Sequence, residues 1–543
     1  MTTWQRISHS IRDLGMPTIW GLALALAVGL ILRIIGITWG YPYQLHVDEP
    51  TIFNEAVDMA ARRSFEPTTF YRPDHVQMKL SFIAYMVYSW GFLQQPVEVA
   101  FENNSVTFRL ISRIITVAFG LALIVLAFFV ARAIRPGSGV IAAWIFSLYP
   151  AYVEHSRLIT PDIPLATIVL AASLAMIYYL RAPSIPTLLI TSALTGVAIG
   201  IKYPGALVTV LIAFVVIYTS FRDRQLGRIA RHGITAFFAT LLSTFMVSPA
   251  LFANFGQVYA ALIFESRGGE DGPTFLAHAG EYVGEFVTTA GLILVLLGLL
   301  GTWWAVRVRR EEALVLIIGP IFWLGLSPLG LQWERWGTPM WLTPLILGAV
   351  GFHVLWNHLR FLPHKLVRSF PIVVGVIVFA QLFSTSVVGK TVPYVLPDTR
   401  VTGIATLDQQ GFTAENTETE GFSPLRPSSS RGIAGRFDTV GTTLTPRNTQ
   451  FDFALISSIK YKDAFGREPR SADAAFYREL DRTYPLVLEI SPTIVPFEST
   501  FIEPVTLWRA FATAIAIDTS TTVGPTIRVY DLRAPISTSP RVE

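Results

Sequence analysis

Two adjacent carboxylates, Asp48 and Glu49, stand in the run His46-Val47-Asp48-Glu49-Pro50, directly after the first long apolar stretch. At the exit of a membrane helix such a pair is costly unless water, a cation or a substrate meets it. More charged side chains stand at other loop ends. They include His155, Arg157 and Asp162, then Lys202 beside Tyr203, and later Glu334 and Arg335. Transfer of a group from an activated donor to a hydroxyl or amine needs a base for the acceptor and cations for the leaving group. Asp48 and Glu49 are candidates for the base. Lys79, Arg157, Lys202 and Arg335 are candidates for holding a phosphate, arginine through a bidentate fork and lysine as a point charge. The acids can instead hold a divalent cation. No motif has the tight spacing of a metal site, so the metal stays unknown and no cofactor is assigned.

The elements that carry these residues are membrane helices. Of 543 residues 52% are apolar and only 15% charged, and apolar runs long enough to span a bilayer recur from Trp20 to about Gln381. Candidate crossings lie at roughly 17–39, 106–134, 138–150, 163–181, 185–201, 204–220, 233–251, 284–305, 313–330, 337–357 and 369–388. Alternate loops are short and basic: Arg132 and Arg135, Arg181, Arg222 through Arg231, Arg307 to Arg310, and Arg360 to Arg368. The positive-inside rule places these loops and the N-terminus in the cytoplasm. The first run has basic residues ahead of it and no small-residue cleavage site, so it reads as an uncleaved anchor. Met78 to Leu93 is apolar but short and holds Lys79, and is assigned as an interfacial or half-inserted helix within a long first outer loop, 41–107. The expected location is the inner (plasma) membrane, multi-pass.

Composition changes after about Val388. Residues 389–543 hold no spanning run and are rich in Thr, Ser, Pro and Arg, which predicts a soluble α/β domain outside the cytoplasm. Phe451 to Ile459, Leu486 to Ile490 and Thr526 to Leu532 read as strands, and a helix opens at Ser471 and ends before Pro485. Ser423 to Asp438 reads as a mobile loop. The absence of cysteine excludes disulfides and thiolate metal sites. The net charge of +4 is modest, and no nucleic-acid partner is expected.

Three segments together resemble a known family. They are the Asp48-Glu49 pair, the loop Ser156-Arg157-Leu-Ile-Thr160-Pro161-Asp162-Ile-Pro164, and Gly196-Val-Ala-Ile-Gly200-Ile-Lys202-Tyr203-Pro204-Gly205. They are similar to segments of the GT-C membrane glycosyltransferases, within these to the protein O-mannosyltransferases and the aminoarabinose transferase of lipid A. Arg335-Trp336-Gly-Thr-Pro339 resembles the late Arg-aromatic-x-x-Pro segment of that family. The resemblance covers about residues 17–388. It implies a polytopic α-helical GT-C-like fold of about eleven helices, and an inverting transfer from a polyprenyl-phosphate sugar to a protein, glycolipid or glycan acceptor on the outer face. It implies Asp48 as the acid that orients and deprotonates the acceptor, with Glu49 beside it. Asp162 would support that site or share a cation, and Lys202 and Arg335 would hold the donor phosphate. Where the family often has a Pro-Pro-Leu-Tyr-Tyr type stretch this chain has Met78-Lys79-Leu80-Ser81-Phe82-Ile83-Ala84-Tyr85, so the resemblance leaves the role of Lys79 open.

Each residue also has a plain structural reading. Asp162 can cap a helix. Lys202-Tyr203-Pro204 can be a snorkelling lysine at a helix break, and Arg335 between Trp333 and Trp336 can make a cation–π contact. His46 and His155 can be hydrogen-bonded loop residues and nothing more; in the functional reading they and Tyr203 support the site. Glu265, Arg267, Glu270 and Asp271 read as a solvated loop. Two other functions fit the same charges. A transporter or lipid flippase would place acids deep within its helices, whereas these cluster at loop ends on one face. An envelope assembly protein would use the tail as its binding module.

Overall fold

The computed structural model describes residues 15–533 and 535, apart from 71–73, 267–274, 330–331, 427–428, 430, 441–442, 449, 468–471, 495–496 and 498. Arg267, Glu270, Asp271 and Ser471 lie outside the described residues. The chain divides into two units. The first is 1–37, 51–391 and 498–511; the second is 38–50, 392–497 and 512–543.

The first unit is helical. It opens with α1 (Met16–Ile34), α2 (Glu49–Ala61, whose first two residues belong to the second unit), α3 (His75–Met86) and the long α4 (Val97–Ile134). Then come α5 (Gly139–Leu148), α6 (Pro150–Ser156), α7 (Asp162–Arg181), α8 (Ile185–Ile201), α9 (Val208–Arg222) and α10 (Gly227–Val247). After α11 (Pro249–Ala253) and α12 (Phe255–Ser266) the chain forms α13 (Phe275–Ala290), α14 (Leu292–Arg307), α15 (Ile318–Leu326), α16 (Leu342–Leu359) and α17 (Lys365–Ser384). Among the described residues six helices are long and apolar enough to cross a membrane, or seven if the bent pair α13–α14 counts as one. This is a membrane protein.

Some expected crossings take another form. The run at 284–305 is broken: α13 and α14 meet at 109°, because Gly291 adopts φ +82°, a left-handed conformation that glycine alone takes without strain. The run at 138–150 yields an α5 of only 10 residues before Pro150 starts α6. The Met78–Leu93 segment is α3 continued by a π-helical turn, Val87–Leu93.

Lipid offers apolar side chains no better partner than another helix, so the bundle is held by close approach and by internal polar contacts. Helices α14 and α16 cross where Gly301 faces the Leu347 carbonyl and Gly351 faces the Leu297 carbonyl, with no room at either place for a Cβ. Arg33 of α1 is fully buried and donates to Ser156 Oγ at 3.1 Å and to the carbonyls of Gly29 (3.0 Å), Phe146 (3.1 Å) and Ser147 (3.2 Å). Gly120 of α4 leaves the space it passes through.

The second unit holds α18 (Thr399–Gln409), β1 (Thr417–Thr419), β2 (Phe437–Val440), β3 (Thr443–Pro446), β4 (Phe453–Ser457), α19 (Ser458–Arg467), α20 (Ala472–Thr483), β5 (Leu486–Ile490) and β6 (Ile527–Asp531). One further helix, α21 (Glu503–Ile515), starts in the first unit and ends in the second. The main sheet has the order β1-β4-β6-β5, parallel at β1/β4 and antiparallel elsewhere. Side-chain alternation along β4 and β6 gives the sheet two apolar faces. Ala454, Ile456 and Tyr530 join Phe476 and Leu480 of α20, while Leu455, Ile527 and Val529 join Leu407 of α18 and Phe412. The strands and the α20 helix stand where alternation and helical spacing place them. Part of the stretch read as a mobile loop instead forms β2, which pairs with β3.

Candidate active site

Asp162 is the first residue of α7, where the helix N-terminus favours a carboxylate. Its side chain is only 2% exposed. Lys202 follows α8, at a break where the backbone becomes extended (φ −158°, ψ 139°) before Pro204. Gly205 folds the turn back against the Ala198 carbonyl, a contact that leaves no space for a Cβ. The break directs the buried Lys202 Nζ to Asp162 Oδ1 at 2.7 Å. Arg335 comes from the 3-10 turn Glu334–Gly337, with Nε 4.0 Å from Asp162 Oδ2. The Lys202 ammonium lies 5.2 Å from the centre of the Trp336 ring, and the Arg335 guanidinium 5.5 Å from that of Trp333. Thr338 Oγ1 donates to the Asp162 carbonyl at 3.3 Å, and Tyr152 donates to the Thr338 carbonyl at 2.9 Å. Three loop ends, far apart in the chain, are tied together here.

A second ion cluster adjoins the first through neighbouring residues. Lys390 Nζ reaches Glu154 Oε2 at 2.6 Å and Glu334 Oε2 at 3.5 Å. Sequence reasoning missed Lys390 and Glu154. The available signal was a lone lysine just beyond the last apolar run. His155, beside Glu154, is buried, and neither ring nitrogen has a hydrogen-bond partner among the described residues. Arg157 is also buried, and it donates to two backbone carbonyls and a hydroxyl: the Lys390 carbonyl at 2.7 Å, the Leu32 carbonyl at 2.7 Å and Thr391 Oγ1 at 3.0 Å. It braces the cluster.

Lys79 belongs to a different neighbourhood. It pairs with Glu66 Oε1 at 2.8 Å and donates to the Val247 carbonyl at 2.9 Å. Glu66 lines a cleft of about 800 Å³, with Arg62 and Thr68 on the polar side and Phe245, Phe252 and Asn254 among its other walls. His75, one turn before Lys79, is buried with Nε2 3.0 Å from the Thr69 carbonyl, and its burial holds the imidazole below its ordinary pKa. Tyr203 donates to the Phe70 carbonyl at 2.7 Å. These contacts order the segment after α2.

In the second unit, Asp48 directly precedes α2 and Glu49 is its first residue. The Asp48 N–H donates to His46 Nδ1 at 3.3 Å, so His46 shapes the acidic loop. Arg400 anchors that loop from α18. Its guanidinium binds Asp398 in a fork, with both distances 2.8 Å, donates to the Leu45 carbonyl at 3.1 Å and lies 5.5 Å from the centre of the Trp39 ring. Gly524, at φ +109°, gives Asp398 its space. Among the described residues no three His, Asp or Glu side chains stand close enough together to hold a metal ion.

This helical architecture has known counterparts. Residues 88–251 match the sequence profile of the family described as dolichyl-phosphate-mannose-protein mannosyltransferase, a segment that contains His155, Arg157, Asp162, Lys202 and Tyr203. The oligosaccharyltransferase of Archaeoglobus fulgidus in its apo form aligns over 89% of this chain and 74% of its own, with a TM-score of 0.54 at 11% identity. The fold is that of the GT-C membrane glycosyltransferases. The archaeal oligosaccharyltransferase AglB from Archaeoglobus fulgidus, in complex with an inhibitory peptide and a dolichol-phosphate, aligns over 88% of this chain and 73% of its own, with a TM-score of 0.53 at 10% identity. ArnT from Cupriavidus metallidurans covers 76% of this chain and 83% of its own at 15% identity, with a TM-score of 0.48. No individual curated protein matches the chain by sequence. The profile match covers the loop ends that bring Asp162 and Lys202 together, and it ends before Arg335.

Proposed function

We propose that this protein is a glycosyltransferase that moves a sugar from a polyprenyl-phosphate donor to an acceptor on the outer face of the cytoplasmic membrane, with inversion. The observation that carries the reading is the convergence of Lys202 and Arg335 on the buried Asp162. A lysine and an arginine held together at a loop end suit a phosphate whose charge grows as the glycosyl bond breaks. The match to dolichyl-phosphate-mannose mannosyltransferases and the dolichol-phosphate complex of AglB support a donor of this class.

In the proposed step the acceptor oxygen or nitrogen attacks the anomeric carbon and forms the new bond. The bond from that carbon to the phosphate oxygen breaks, and its electron pair leaves on the phosphate, where Lys202 and Arg335 balance the charge. The acceptor proton passes to the Asp48 carboxylate. Asp48 holds this role by its place in the first loop. Glu49 supports Asp48 as its neighbour in the chain, Asp162 orients Lys202, and Arg157 and His155 have supporting roles. The cleft beside Glu66 and Lys79 has an apolar wall on which a polyprenyl chain can lie.

The test is release of free polyprenyl phosphate by purified protein in lipid vesicles, with a panel of polyprenyl-phosphate sugars and candidate acceptors. Release that needs acceptor and vanishes in Asp48→Asn is the expected result. Undiminished release in Asp48→Asn would remove Asp48 from the site. No release with any donor, from folded protein that instead carries solute across the vesicle, would replace the enzyme with a transporter.

A further inference from the structure

Helix α21 is built inside out. The face it buries in the first unit is polar or small: Glu503, Thr506 and Ala510 are at most 5% exposed. The opposite face carries Val505 (40% exposed), Trp508 (68%), Phe511 (58%) and Ile515 (67%), at spacings of three and four residues that form one stripe. Arg509 is its one charged neighbour on the exposed side. In water this pattern would be reversed, since a surface helix turns its apolar stripe inward.

The buried face explains how the helix is held. Glu503 Oε1 accepts from the Ile293 N–H at 2.6 Å, and the Phe501 carbonyl accepts from the Leu292 N–H at 3.0 Å. These are backbone donors at the start of α14, which no turn of helix satisfies. Gln381 of α17 donates to the Thr500 carbonyl at 3.4 Å. The first turn of α21 is therefore fixed at the ends of two membrane helices. Both present apolar side chains outward at that level: Leu292 and Leu296 on α14, Phe379 and Phe383 on α17 are all at least 40% exposed. The stripe on α21 continues a surface already turned to lipid.

We propose that α21 lies in the plane of the bilayer, its Val505–Trp508–Phe511–Ile515 stripe inserted among the lipids at the level where α14 begins. Thirteen residues are too few to span. They suffice for an interfacial helix with aromatic residues at the headgroup boundary and an arginine whose stem lies along the apolar region while its head reaches water. A tail without any spanning run thus returns once to the membrane. The inference does not depend on the activity proposed above.

The chain has no cysteine, so single cysteines at Val505, Trp508 and Phe511 can carry a spin label in the full-length protein in vesicles. Labels at Phe379 on α17 and at the exposed Arg447 of the second unit serve as lipid and water references. The ratio of collision with oxygen to collision with a water-soluble nickel chelate should rise several-fold above the Arg447 value at all three sites, toward the Phe379 value. Ratios equal to that at Arg447 would overturn the proposal. So would labels shielded from both reagents and dipolar-coupled between copies, which would assign the stripe to a second copy of the chain.

Discussion

At the scale of single residues the proposed function gives the ion pair of Lys202 with Asp162 two jobs, in the fold and in transfer, that substitution can separate. Asp162 is almost fully enclosed, and removing one partner of a buried pair costs on the order of 3–5 kcal/mol because the other charge stays behind. Lys202→Met should therefore lower stability and also slow transfer, by roughly 10²-fold if the lysine stabilises the leaving phosphate. The double variant Lys202→Met/Asp162→Asn should regain much of the stability and none of the activity. Thermal unfolding and polyprenyl phosphate release, measured on both variants, check the two halves. Recovery of activity in the double variant would show that the pair only supports the fold. Asp162, Lys202 and Arg335 were all legible in the sequence as charges at loop ends. The role of Arg157 was not, because nothing in a sequence says that an arginine will spend its donors on backbone carbonyls. Lys390 escaped for a related reason: its partners Glu154 and Glu334 come from distant segments.

At the scale of elements the proposed base, Asp48, is held by contacts within the second unit that composition alone did not reveal. Residues 38–50, which carry Asp48, belong to that unit by their contacts, and Arg400 of α18 holds the Leu45 carbonyl three residues before Asp48. The fork to Asp398 leaves the guanidinium one orientation, which lysine cannot reproduce. Arg400→Lys and Arg400→Ala should both lower kcat while the protein stays folded, since a displacement of about 1 Å at a reacting group can cost 10²-fold. Kinetics with a fixed donor, alongside far-UV circular dichroism, check this; unchanged kcat in both variants would free the loop from the clamp. Spans and strands were legible because helical and alternating periods write themselves into a sequence. The break at Gly291 and the reversal of α21 were not, since each depends on a distant partner: Glu503 stands more than 200 residues from the helix end it caps.

At the scale of the whole molecule the division into two units implies that each can lose stability on its own terms, and Glu420 gives a way to see it. It lies between β1 and the loop after it, fully buried, and accepts from the Ser457 N–H at 3.0 Å and from the Tyr477 hydroxyl. Burial pushes its carboxyl up from 4.5 to about 7. The folded unit thus holds a proton more tightly than the unfolded chain. Its contribution is fully present below the unfolded value of 4.5 and is lost as pH rises through about 7. A shift of that size corresponds to about 3 kcal/mol between the two limits. Hydrogen exchange of the β4 and α20 amides, corrected for intrinsic rates, should show protection falling from pH 5 to pH 8. The α14 and α16 amides should not follow, because Glu420 is no part of their unit. Glu420→Gln, neutral at every pH and able to keep the acceptor oxygen, should flatten the profile of the second unit alone. A profile that stays steep in Glu420→Gln would assign the pH dependence to another group, and parallel loss in α14 and α16 would show that the units unfold as one.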